Sequence, residues 1–146
     1  MSPLTARRCL VGLVVERLRG GGMGGGIDVL VVEDDEDLRT SWRDILLDAR
    51  WQVEEASNGL VALEFLRARP VRAMLLDVGM PVLDGFGLLD QLENPPPVLL
   101  VTAHVYDSEV MARRDKVFMF LQKPVPPPEL LQAVARAMAL GGQLSS

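Results

Sequence analysis

Five short apolar runs, at 27–32, 52–56, 73–76, 98–101 and 117–121, are separated by longer stretches of helical periodicity, and this alternation constrains the fold more than any other feature. The run 98–101 reads Val-Leu-Leu-Val, and 27–32 is apolar on both faces apart from Asp28. A strand that is apolar on both faces has to be covered on both, the condition of a parallel sheet between helical layers. The run 52–56 is weaker and reads as an edge strand. Between the runs, Leu38, Trp42, Ile45 and Ala49 recur at helical spacing over 36–49. Asn58 is a suitable cap for a helix over 59–69. A helix over 86–93 is stopped by Pro95, Pro96 and Pro97, and another is expected over 108–114. Pro127 or Pro128 opens the last helix, where proline is tolerated, and Leu131, Val134 and Met138 line one face of it. The pattern predicts an α/β fold: a doubly wound, five-stranded parallel sheet with right-handed crossovers and helices on both faces.

The 146 residues suffice for one domain of this kind. Six of the seven positions 20–26 are glycine, which cannot sustain regular structure. Residues 1–26 are therefore expected to be an extension ending in a flexible linker, residues 27–140 the domain, and 141–146 a disordered tail. Within the extension, 10–18 could form about two turns of amphipathic helix, marginal alone. The extension is either an appendage or the result of initiation upstream of Met23. Cys9 is the single cysteine, so no internal disulfide is available, in keeping with a reducing cytoplasm. The apolar run 9–15 is far shorter than a bilayer span, so no membrane insertion is expected. A net charge of −5, with no basic stripe, argues against direct nucleic-acid binding.

In open parallel sheets, chemistry collects beyond the carboxyl ends of the strands. Those ends carry Glu33 and Asp34, then Asp77, Thr102 and Lys123. Each alone reads as ordinary turn or surface chemistry. Together they bring three carboxylates, a hydroxyl and an ammonium to one edge. Crowded carboxylates need either raised pKa values or a cation, and a hard divalent ion with oxygen ligands is the natural partner. Mg²⁺ retains waters and leaves room for phosphate oxygens. An aspartate beside such a cation, a lysine and a hydroxyl suits phosphoryl acceptance.

Four motifs in order resemble the response-regulator receiver domain of two-component signalling. Val29-Leu-Val-Val-Glu-Asp-Asp-Glu-Asp-Leu-Arg39 is similar to its opening, and Met74-Leu-Leu-Asp-Val-Gly-Met-Pro-Val-Leu-Asp-Gly-Phe86 to its phosphorylation loop. Val98-Leu-Leu-Val-Thr-Ala103 resembles its fourth strand and Phe120-Leu-Gln-Lys-Pro124 its lysine-proline turn. The resemblance covers about residues 27–139. It implies a flavodoxin-like sheet of order 2-1-3-4-5, an order that general accounts of doubly wound folds illustrate with a receiver. It implies Asp77 as phosphoacceptor, Asp34 as the main Mg²⁺ carboxylate, Glu33 acting through water, and the Gly79 carbonyl as a further ligand. It implies Thr102 as the hydroxyl that engages the phosphoryl group, Phe120 as the aromatic switch, and Lys123 as the phosphate's partner, with a Lys123–Pro124 bond that is usually cis. Arg113-Arg-Asp-Lys-Val117 replaces the family's Gly-Ala turn, so the fourth helix is expected to end irregularly.

The function so implied is a cytoplasmic phosphoacceptor switch without enzymatic turnover on other molecules. A histidine kinase or histidine phosphotransfer domain donates the phosphoryl group, and the signal leaves by binding a downstream protein or by phosphorelay. With 146 residues, no separate output domain is expected. The competing readings are an aspartyl-phosphate phosphatase or phosphotransferase, and a binding-only pseudo-receiver. The first generally needs a general acid two residues after the nucleophile, where this chain has Gly79; the intact acidic, hydroxyl and lysine set opposes the second. His104, the lone histidine, reads as a solvent-facing loop residue, and Met111, Met119 and Met138 as packing residues.

Overall fold

The computed structural model describes residues 26–80 and 82–144, with the side chains of 140–144 left aside. The expectations for residues 1–25, including the amphipathic turns, the linker and Cys9, lie outside the described residues.

The strands are β1 (Ile27–Val32), β2 (Val53–Ala56), β3 (Val71–Asp77), β4 (Val98–Thr102) and β5 (Met119–Gln122). The helices are α1 (Glu36–Asp48), α2 (Gly59–Ala68), α3 (Gly85–Gln91), α4 (Ser108–Ala112) and α5 (Pro127–Leu144), with a 3₁₀ turn at Arg114–Lys116. All four strand pairings are parallel and the sheet order is β2-β1-β3-β4-β5, the flavodoxin-like arrangement.

The two-residue period of the strands divides the core into two clusters. Val29, Val31, Ala73, Leu75, Leu99 and Val101 pack with Trp42 and Leu46 of α1 and Leu130, Val134 and Ala137 of α5. Leu30, Val32, Met74, Leu76 and Leu100 pack on the other side with Ala62, Leu63, Leu88, Leu89 and Val110 of α2, α3 and α4. Complete burial of both faces is why runs such as Val-Leu-Leu-Val show no alternation.

Helix entries follow their side chains. Asp35, Asn58, Asp84 and Asp107 each accept a backbone N–H of the helix that follows, satisfying donors with no partner inside the helix. Several boundaries differ from the sequence expectation. In α1 Trp42 is buried as expected and Leu46 joins it, whereas Ile45 is only partly buried and Ala49 is the exposed C-cap. In α5 Leu130 is fully buried and Leu131 only partly so. Residues 114–116 wind into the 3₁₀ turn, which delays β5 to Met119 and bears out the irregular exit of the fourth helix. The tail expected from 141 is helical as far as Leu144, because extending an existing helix fixes one residue per hydrogen bond gained.

Candidate functional site

The register brings the strand-end residues together. Val32 lies opposite Leu76, Asp77 opposite Val101, and Thr102 opposite Gln122. Glu33 therefore leaves β1 beside Asp77, and Lys123 leaves β5 beside Thr102, whose carbonyl accepts the Lys123 N–H at 2.9 Å. The Lys123–Pro124 peptide is cis.

Asp77 is 3% exposed, and its Oδ1 lies 2.7 Å from Lys123 Nζ. The same ammonium is 3.8 Å from Glu33 Oε1. Glu33 is buried as well; its Oε2 accepts the Asp35 N–H at 3.0 Å, while Oε1 is buried with no hydrogen-bond partner among the described residues. Asp34 is exposed at the rim. One carboxylate oxygen from each of Glu33, Asp34 and Asp77 can be chosen so that all lie within 4.8 Å of one another. Thr102 is largely buried and its Oγ1 accepts the His104 N–H at 3.1 Å. The His104 side chain faces solvent. Phe120 is partly buried against the cluster that includes Leu100 and Val110.

Crowding and burial set the electrostatics. Burial raises the Glu33 carboxyl to about 7, with the Asp77 charge adding to the rise and the Asp35 N–H and Lys123 opposing it. Burial also raises Asp77, against the pull of Lys123, and the Asp34 charge adds to the rise. Burial acts to lower Lys123, but its bond to Asp77 and the charges of Asp77, Glu33 and Asp34 outweigh this and leave it raised and charged. The site thus stores carboxylate repulsion that one lysine only partly offsets. An orphaned, buried Glu33 oxygen within a three-carboxylate cluster fits an oxygen-ligated divalent cation such as Mg²⁺.

The loop after β3 is shaped by glycine. A Cβ on Gly85 would stand 2.6 Å from the Asp77 carbonyl oxygen, and the Gly85 N–H donates to Val78 O at 2.9 Å. Gly59 approaches Leu83 O so closely that a Cβ would lie 2.3 Å from it. Gly79 differs: among the described residues a Cβ there meets nothing within 4 Å. Between them, Val82 is exposed with φ 71°, a backbone rarely adopted by a β-branched residue. The sequence reading gave no role to Arg39, whose Nη1 donates to Glu33 O at 2.9 Å. Its place within the opening motif was the available signal.

Glu33, Asp34, Asp77, Thr102 and Lys123, the residues expected at one edge, therefore lie together there, and Phe120 of β5 is partly buried against the neighbouring core cluster. Comparisons with known proteins agree with this architecture. A sequence model of the response regulator receiver domain matches residues 29–135. A response regulator receiver protein of Anaeromyxobacter sp. (strain Fw109-5) is 35% identical over 106 residues, covering 70% of this chain and 44% of the relative. An NtrX-like putative response regulator of Rickettsia bellii is 31% identical over 117 residues, covering 76% of this chain and 24% of the relative. This chain thus spans less than half of either relative's length. The chemotaxis response regulator CheY4 of Vibrio cholerae superposes with a TM-score of 0.69 at 28% identity, over 77% of this chain and 98% of that one. The receiver domain of NtrX from Brucella abortus gives 0.70 at 27% identity, over 77% and 98%. Among the described residues, no helix is long and apolar enough to cross a membrane. With four motifs in order, a matching sheet and a matching sequence model, this chain belongs to the response regulator receiver domain family of two-component systems.

Proposed function

We propose that this domain accepts a phosphoryl group on Asp77, with Mg²⁺, from a histidine kinase or histidine phosphotransfer domain in the cytoplasm. The observation that carries the reading is the buried Asp77 carboxylate, 2.7 Å from Lys123 within the Glu33–Asp34–Asp77 cluster. In the transfer, an Asp77 oxygen forms a bond to phosphorus as the bond to the donor nitrogen breaks, and the electron pair leaves with the imidazole. Glu33, Asp34, Asp77 and the Gly79 carbonyl are the proposed Mg²⁺ ligands, Glu33 through water. When bound, the ion would supply positive charge that offsets the negative charge gathered at the site during transfer. Lys123 releases Asp77 Oδ1 to pair with a phosphoryl oxygen. The Thr102 hydroxyl, now accepting from His104, retains its own proton to donate to another phosphoryl oxygen. Phe120 follows Thr102 as the switch, and the altered surface engages a downstream protein or passes the group on. The roles are positioning and charge stabilisation, the main resources of phosphoryl-transfer catalysis.

Gly79 supplies no general acid, which favours a switch over an enzyme that turns over many substrates. Incubation with a small acyl phosphate tests the reading. Intact-mass analysis should show one phosphoryl addition that requires Mg²⁺ and is lost in Asp77→Asn. Continuous turnover of the donor without a stable adduct would support an enzyme instead, and no reaction at all a binding-only domain. Full labelling of Asp77→Asn would overturn the assignment.

A further inference from the structure

Asp34 and Asp77 reach one point only if the chain leaves β1 in a single direction, and the β ladder does not control that direction. Val32 is the last residue of β1. The Glu33 N–H still donates to Ala56 O at 3.0 Å, but its carbonyl has left the ladder. That carbonyl is held by Arg39, from the second turn of α1, at 2.9 Å. The same guanidinium donates through Nε to Glu55 Oε1 of β2 at 3.0 Å. Arg39 is only 16% exposed, and Glu55 is fixed from its other oxygen by Arg43 Nη1 at 2.9 Å. One planar fork therefore ties the end of β1 to β2 and α1. Among the described ion pairs it engages Glu55 and none of the three cluster carboxylates, so its charge does not fill the place a cation would take.

We propose that Arg39 is a positioning residue for the cation site: by clamping the Glu33 carbonyl it sets the direction of the Glu33–Asp34 pair, and so the geometry in which Mg²⁺ is bound. The inference rests on the Mg²⁺ reading of the site. The opposing effect has the opposite sign. If Arg39 acted on the site merely as a nearby positive charge, removing it would strengthen cation binding. If it acts by orienting the ligands, removal weakens binding, and residues that orient metal ligands typically contribute 10–100-fold in affinity. Lysine is not an equivalent substitute, since a single ammonium lacks the planar fork that spans two acceptors on different elements.

Calorimetric titration of the intact chain with Mg²⁺, well below the melting temperature and with helical content checked by circular dichroism, separates these cases. Arg39→Ala should weaken Mg²⁺ binding about tenfold, and Arg39→Lys should fall between it and wild type. Arg43→Ala, which loosens Glu55 from the other side without touching Glu33, should stay within about twofold of wild type. Phosphoryl labelling of Arg39→Ala by an acyl phosphate should be slow at low Mg²⁺ and approach the wild-type rate at saturating Mg²⁺. Unchanged or tighter binding in Arg39→Ala, or an equal loss in Arg43→Ala, would overturn the proposal. A wild-type chain that binds no Mg²⁺ would overturn the reading of the site and this role together.

Discussion

At the scale of single residues, the open space beside Gly79 bears on how long a phosphoryl group would persist. On the proposed reading, hydrolysis of a phosphoryl group on Asp77 needs a water in line with phosphorus, and the resemblance to receiver domains implies that the side chains two residues after Asp77 and after Thr102 flank that approach. They are Gly79, which has nothing to orient a water, and His104, whose ring faces solvent. Poor orientation of the attacking water leaves hydrolysis slow. Because a Cβ at Gly79 meets no described residue within 4 Å, Gly79→Asn can introduce a polar group without a clash at its Cβ. Gly79→Asn is expected to speed decay of the phosphorylated mass peak after donor removal, and His104→Ala to change it less. Equal decay in Gly79→Asn and wild type would place control of water access elsewhere. By contrast Gly85 admits no such change, since a Cβ there collides with the Asp77 carbonyl.

At the scale of elements, the end of α1 shows a feature the sequence does not announce. Trp51 N–H donates to Leu46 O at 3.3 Å and Arg50 N–H to Leu47 O at 2.8 Å, the paired bonds of a Schellman termination. Arg50 occupies its left-handed position with φ 73°, where glycine is usual. No glycine stands there, so periodicity alone carried the helix to 49 without a stop signal. An L-residue in this conformation costs roughly 1–2 kcal/mol, partly offset by the greater backbone entropy that glycine loses on folding. Arg50→Gly is therefore expected to raise the melting temperature by roughly 4 °C, on the order of 1 kcal/mol for a domain of this size. Thermal unfolding followed by circular dichroism checks this, and a lower melting temperature would show that the Arg50 side chain contributes more than its backbone costs. The short α4 is the second such element. Arg113 donates to both oxygens of Asp90 on α3 at 3.0 Å and lies 4.5 Å from the centre of the Phe86 ring. This α3–α4 link accompanies the 3₁₀ turn that replaces a regular helix exit.

At the scale of the whole molecule, the crowded carboxylates couple stability to pH and, on the proposed Mg²⁺ reading, to the cation. Glu33 has a folded-state pKa of about 7 against an ordinary 4.5. Between those values the folded state holds more protons than the unfolded chain, so stability falls as pH rises through the window. Raised Asp77 acts in the same direction. Glu33→Gln removes the Glu33 contribution and serves as the reference. With chelator present, wild type is expected to lose melting temperature relative to Glu33→Gln between about pH 5 and about pH 7.5, and to hold a constant difference below about pH 4. Millimolar Mg²⁺ should recover the loss by binding the folded state, and Asp34→Ala should remove most of that recovery. Parallel pH profiles for wild type and Glu33→Gln would show that Glu33 titrates near its ordinary value.

The sequence by itself determined the layered α/β class, because runs apolar on both faces, such as 98–101, are soluble only between two covering layers. It also determined which residue types stand at the strand ends, since every parallel strand exits toward the same edge. Helix entries were legible where Asn58 supplies a cap locally. What the tertiary structure alone decided depends on distance through space. The parallel register sets Glu33 beside Asp77 and puts the Lys123 ammonium 2.7 Å from Asp77, and burial of the Glu33 and Asp77 carboxyl groups, rather than residue type, raises them. The clamp from Arg39 to the Glu33 carbonyl joins three elements, and no spacing rule along one helix or strand reveals it. The left-handed turn at Arg50 arises in the same way: the packing of Trp51 and Leu46 into one cluster sets the path of the chain, and the local residue conforms to it.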